Sequence, residues 1–212
     1  MRFLHMKLSS TTINTRLLAF SLCGMLLGSC QETTPRDIAT AAPDVSADSA
    51  MASAETTGEY LDWETASLNG KQPALGKTEA LYKMLGQPDS VVKPNMNEFC
   101  GSFYDKPLQY AYFKQSVVEV YGDTAVIGSL NFRNNPQLEL RTAAIRLNHN
   151  TTLDELTKRF PQAAKKQGSV DVEGLGKLTT ISIPTGKTPN DDAWLLFFDG
   201  GKLVRIDYWM PC

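Results

Sequence analysis

The side chains best suited to chemistry are few in this chain. It has two histidines, His5 and His149, and four cysteines, Cys23, Cys30, Cys100 and Cys212. A Ser-His-Asp triad needs a histidine to carry the proton, and most zinc sites need one as a ligand. His149 stands in LNHNTT, among turn formers just ahead of a predicted helix, the setting of a solvated side chain. No Gly-x-Ser-x-Gly occurs. Gly174-Leu175-Gly176-Lys177 lacks the length and the Ser/Thr of a phosphate loop. Asn190-Asp191-Asp192 offers oxygens of the kind that hold Ca²⁺, yet the apolar AWLLFF after it reads as a strand. A polar turn is the simpler reading, and no metal or cofactor is expected. Carboxylates paired in space for glycoside cleavage leave no signature in spacing, so catalysis is open but unsupported.

The cysteines say more. Residues 1–31 contain Arg2, Lys7 and Arg16 and no carboxylate; the apolar run Leu17–Leu27 then ends in Gly28, Ser29 and Cys30. As a helix that run reaches about 16 Å, against about 30 Å for a hydrocarbon core. It is too short to span. A basic flank, a short apolar centre and small residues at the end make a secretory signal peptide over 1–29. Leu27-Gly28-Ser29-Cys30 closely resembles the lipobox of bacterial lipoproteins. That resemblance implies diacylglycerol on the Cys30 thiol, cleavage just before it, and a fatty acyl group such as palmitate on the new amine. Two or more chains anchor stably where one does not. Gln31 is not the aspartate that favours inner-membrane retention in enterobacterial lipoproteins, so the resemblance points to the outer membrane. Cys23 leaves with the peptide.

Cys100 and Cys212 then remain as an even pair in a compartment where thiols oxidise, which predicts a disulfide. Closing a loop of about 110 residues would contribute about 4–5 kcal/mol in the chain-entropy picture and pin the last strand. The alternative is a redox or metal thiol pair, for which no Cys-x-x-Cys is present.

The elements that must position these groups begin late. Residues 30–58 are rich in Ala, Ser, Thr, Asp and Pro and carry no aromatic. They bury too little to offset ordering entropy and are expected to form a disordered tether, roughly 30 Å in span. Removing the three signal-peptide bases from 21 leaves 18 Lys and Arg against 23 acids, a mature charge near −5. Neither that charge nor any basic run suggests nucleic acid.

LGKTEALYKMLGQPDSV reads as a helix entered at Thr78, with Leu81, Met84 and Leu85 on one face, Gly86 as cap and Pro88 as stop. NTTLDELTKRFPQA repeats the pattern: Thr152 and Glu155 make a capping box, Leu153, Leu156 and Phe160 the stripe, Pro161 the stop. Each helix precedes a hairpin signal, at Gly122-Asp123 and at Gly200, and Val204, Ile206 and Tyr208 alternate with Arg205 and Asp207. The predicted fold class is α+β. It comprises two tandem helix-plus-antiparallel-meander units, 59–137 and 138–212, each helix lying across its own sheet.

LGKTEALYKMLGQPD with LQYAYF, and FFDGGKLVRI near the end, resemble the SmpA/OmlA small lipoproteins of outer-membrane barrel assembly and the tandem repeats of β-lactamase inhibitory protein. Gly86-Gln87-Pro88, the aromatic strand Tyr110, Tyr112 and Phe113, and the hairpin Asp199, Gly200, Lys202, Leu203 and Val204 carry the likeness. The first unit departs from it in the proline-punctuated stretch 92–107, and the second has Phe160-Pro161 in place of Gly-x-Pro. Such families imply interaction or assembly, and nothing catalytic carries over.

About half of the rings on the aromatic strands are expected in the core. Tyr110, Tyr112, Trp194 and Trp209 are the candidates for the face away from the helices, where they would bind a partner. The alternative is that these aromatics too fill a core. The reading is a lipid-anchored, cell-envelope protein that binds another protein, held to the membrane through Cys30. The alternatives are a small enzyme acting on wall or glycan, and a module that takes a small ligand in the concave sheet. An enzyme requires clustered carboxylates with raised pKa in a cleft; a binding module requires an open aromatic face.

Overall fold

Strands account for about three times as much of the described backbone as helices do. The computed structural model describes residues 58–95, 103–104, 106–188 and 190–211, all within one unit of the chain. Of these residues 43% are strand and 14% helix, arranged as two antiparallel sheets with three helices.

The chain enters through three short strands, β1 (Ser67–Leu68), β2 (Gln72–Pro73) and β3 (Leu75–Lys77), and then α1 (Thr78–Leu85). Next come β4 (Ser90–Val92), β5 (Gln109–Phe113), β6 (Ser116–Tyr121) and β7 (Thr124–Asn131). Two short strands, β8 (Leu140–Arg141) and β9 (Arg146–Leu147), lead into α2 (Leu153–Arg159) and α3 (Pro161–Lys165). The chain closes with β10 (Gly168–Val172), β11 (Gly176–Pro184), β12 (Ala193–Asp199) and β13 (Lys202–Trp209).

α1 has no side-chain cap at its start, where Lys77 is the N-cap, and a glycine at its end. Gly86 takes φ 89°, which favours glycine, and its N–H bonds the Tyr82 carbonyl. Thr78 donates through its hydroxyl to the Gly122 carbonyl at 3.0 Å, tying the start of α1 to the β6–β7 turn. At α2 the capping box is complete. The Thr152 N–H donates to Glu155 Oε2 at 2.8 Å and the Glu155 N–H to Thr152 Oγ1 at 3.1 Å. The N–H groups of Gln162 and Ala163, at the start of α3, donate to the Glu59 carboxylate at 2.9–3.0 Å.

The capping box gives a pH-dependent contribution. The Thr152 backbone N–H, then its hydroxyl, hold the Glu155 carboxyl below the usual glutamate range, with Lys202 and Lys158 adding to the effect. A carboxyl whose folded pKa is lowered stabilises fully above its unfolded value and loses that contribution as pH falls through the folded one. In urea titrations at a series of pH values, the advantage of the native chain over Glu155→Gln should therefore be constant at neutral pH. It should disappear in acid; an advantage that grows in acid would contradict the assignment. Thr152→Ala should cost about 1 kcal/mol at neutral pH.

The two predicted α+β units are not what forms. The strands of both halves join in one nine-stranded sheet, β10-β11-β12-β13-β7-β6-β5-β4, with β3 also on β7. The joint is β13 on β7, where Arg205 faces Asn131, Ile206 faces Leu130 and Asp207 faces Ser129. Two separate meanders would each leave an inner edge with unpaired N–H and C=O groups; pairing β13 with β7 satisfies both edges together. The fold class is accordingly mostly β. Both halves of the sheet share a buried cluster that includes Leu81 of α1, Leu156 and Phe160 around α2, Ile127 of β7 and Ile206 of β13. A second sheet, β2-β1-β8-β9, pairs Leu68 with Leu140 across the sequence midpoint.

No described helix is long and apolar enough to cross a membrane. The predicted signal peptide, Cys30 and the body of the tether, and both cysteines of the predicted disulfide, Cys100 and Cys212, lie outside the described residues.

Candidate functional site

Directly paired residues in an antiparallel ladder share a face, so register decides where the four candidate aromatics stand. On β5, Tyr112 pairs with Ser90 and Tyr110 with Val92, which puts both tyrosines beside β4. Tyr112 is half-buried, whereas Tyr110 is 9% exposed and packs in a cluster with Leu108, Val117, Tyr121 and Val126.

Trp194 is a correction. It is fully buried, it packs against Trp63 and Tyr208, and its indole N–H donates to the Leu61 carbonyl at 2.9 Å. It faces the helix side of β12 with Leu196 and Phe198, so it is a core residue and offers no surface to a partner. The same parity puts its neighbours Ala193 and Leu195 on the opposite face. Trp209 stands at the end of β13 and lines a shallow hollow of about 430 Å³ with Asp191, Asp192 and Pro211. The four aromatics therefore do not form one patch. Tyr110 and Tyr112 adjoin β4, Trp209 ends the central strand β13, three strands away from β5, and Trp194 is interior.

The remaining sequence candidates resolve simply. His149 is exposed in a turn. Asn190 bonds Thr185 at 2.9 Å, and Asp192 accepts from the Tyr208 hydroxyl at 2.9 Å, so this stretch fastens the β11–β12 loop. No group of three or more metal-binding side chains occurs among the described residues.

Two features escaped sequence reading. The first is a buried ion pair. Arg205 Nε donates to Asp207 Oδ1 at 2.6 Å and its Nη2 to Oδ2 at 2.9 Å, with the side chains 13% and 6% exposed. Arg205 also lies 5.8 Å from the centre of the Phe197 ring. Burial pushes the Asp207 carboxyl above the usual aspartate range, and the Arg205 guanidinium pulls it partly back. With both oxygens held by Arg205, Asp207 is a structural acid and a poor proton donor to anything else. Ser129, opposite it on β7, is fully buried, and its hydroxyl has no hydrogen-bond partner among the described residues; nothing in the structure explains that. Alternation with Val204, Ile206 and Tyr208 made these charges read as a solvent face. No sequence signal distinguishes a covered second face from a wet one.

The second is an open sheet edge. Among the described residues β4 pairs with β5 alone, and all three of its residues are exposed. Val91 and Val92, 46% and 48% exposed, are the most exposed large apolar residues described. Beyond them the chain enters a groove of about 620 Å³ lined by Lys93, Pro94, Lys106, Pro107, Leu108 and Tyr121, among others. The one acid among the described residues of its lining, Asp123, is held by Lys77 Nζ at 2.7 Å. Lys106 lies 5.7 Å from the centre of the Tyr104 ring. Lys93 and Lys106 have no carboxylate partner among the described residues, so the described lining of the groove is positive on a chain that is acidic overall. Two β-branched residues between Pro88 and Pro94 are the sequence mark of such a strand, since proline inside a sheet is confined to edges.

No family model, curated protein or solved structure matches this chain.

Proposed function

We propose that this chain is a lipid-anchored protein of the bacterial cell envelope, tethered through Cys30 and acting as a non-catalytic protein-binding or assembly module. The observation that carries the binding half is the apolar strip along β4, where Val91 and Val92 stand exposed beside half-buried Tyr112. Apolar side chains of this size on an open sheet edge gain by association with another chain. The anchoring half rests on Leu27-Gly28-Ser29-Cys30 after a basic, short apolar leader. The resemblance to the small lipoproteins of outer-membrane assembly agrees with both, and the outer membrane is the proposed location. Cys100 and Cys212 are proposed to be bridged there.

The test uses the full chain in bacterial cells. The native protein should enter the detergent phase on phase separation and carry the mass of its acyl chains, while Cys30→Ala should stay aqueous and unprocessed at that site. Chemical crosslinking in whole cells should give a discrete protein adduct with the native chain. Acylation of Cys30→Ala would overturn the anchor; absence of any protein adduct would overturn the binding role.

A further inference from the structure

We infer that β4 and the groove beyond it bind an extended, acidic segment of a partner protein by strand addition. This rests on the protein-binding reading above and specifies its site and its partner's chemistry. An edge strand presents a row of outward N–H and C=O groups, and the ligand that satisfies them is another strand.

The sheet has two ends, and they differ. The β10 edge carries Asp171, follows Lys165 and Lys166, and precedes Glu173, the charged pattern that keeps strands from adding. The β4 edge carries Ser90, Val91 and Val92, with no charge within the strand. An added strand would place alternate side chains over Val92 and Tyr112 on one face and over Val91 on the other.

Charge selects the occupant. A strand laid along β4 past Val92 meets Lys93 and then the groove, whose rim also carries Lys106. Asp123 is already held by Lys77 and offers the incomer little repulsion. Two lysines around a cleft floored by Leu108 and walled by prolines suit an apolar strand followed by aspartate or glutamate. A basic segment would meet like charge. The two prolines also limit β4 to three residues, short enough to bind reversibly without nucleating aggregation.

The experiment places a photocrosslinking amino acid at Val91, Val92, Trp209 or Lys177 of the full chain, in living cells. The sites report the open edge, the end of the central strand β13, and β11 beside the charged β10 edge in turn. Adducts from Val91 and Val92 should map to one extended partner segment with an acidic residue within a few positions of the crosslink. Their yield should fall about tenfold in the Lys93→Glu/Lys106→Glu variant, whose thermal midpoint should match the native chain's. The inference is overturned if Val91 and Val92 give no protein adduct, if the adduct is phospholipid or a second copy of this chain, or if charge reversal leaves the yield unchanged. A protein adduct from Trp209 with none from β4 would sink strand addition while sparing the binding role. No protein adduct from any of the four sites would sink both.

Discussion

Replacing Trp194 with alanine should destabilise the folded chain by about 3–5 kcal/mol. The residue is fully buried, and its ring belongs to an aromatic cluster in which Trp63 lies tilted at 5.1 Å and Tyr208 edge-on at 5.6 Å. Its removal leaves a large cavity in the buried cluster that joins the helices to both halves of the sheet, and the Leu61 carbonyl loses its indole donor. The neighbourhood collapses poorly, because Leu61 and Trp63 are themselves fixed through their N–H groups to the carbonyls of Pro184 and Thr185. Trp194→Phe separates the two contributions. It keeps most of the apolar volume and leaves a buried carbonyl without that donor, at about 1–3 kcal/mol. At this size a kilocalorie moves the melting temperature by about 2–4 °C, so the alanine variant should melt about 10 °C lower or more. A loss below about 1 kcal/mol for alanine would mean that Trp194 is not packed as described. Any fall in partner binding by Trp194→Ala should track its unfolded fraction, whereas substitutions at Val91 or Val92 should reduce binding at unchanged stability.

Removing Asp207 should be comparably costly. Asp207→Ala strands a guanidinium that is only 13% exposed and has lost both hydrogen bonds to its carboxylate, for about 3–5 kcal/mol. The double replacement Arg205→Met/Asp207→Leu should recover most of that loss, because a buried ion pair and an apolar pair of similar volume differ little in net stability. Urea unfolding of the two single variants and the double completes the cycle. If the double is as unstable as the singles, the pair supplies more than charge compensation.

The pH dependence of Asp207 has the opposite sign to that of Glu155. Burial raises the carboxyl's folded pKa above its unfolded one. Its contribution is therefore complete below the unfolded value and is lost as pH rises through the folded value. Relative to Asp207→Asn, the native chain should lose stability across that window on going from acid towards neutral pH. A relative gain over the same window would show that Arg205 outweighs burial and lowers the pKa.

The local elements were legible in the sequence because local forces make them. Gly86 and Pro88 end α1; Thr152, Glu155 and Pro161 delimit α2; the Gly122 and Gly200 turns and the alternation around Ile206 mark the hairpins. Each depends on caps, dihedral freedom or side-chain period within a dozen residues. The composition of residues 30–58, the charge balance and the cysteine after the short apolar run are likewise properties of the chain, readable without coordinates.

How the elements combine was not legible, because pairing between strands far apart in sequence leaves no periodic trace. Nothing in Arg205-Ile206-Asp207 says that it will lie against Ser129-Leu130-Asn131, yet that one ladder turns two expected α+β units into a single, mostly β sheet. The same ladder sets the fate of side chains that the sequence treats alike. Alternation assigns each to one of two faces, and only the tertiary structure decides which face is covered. It buries Trp194 with Leu196 and Ile206 and sequesters Arg205 with Asp207. Once β13 has closed the middle of the sheet, β4, short and bounded by prolines, is left as an open edge.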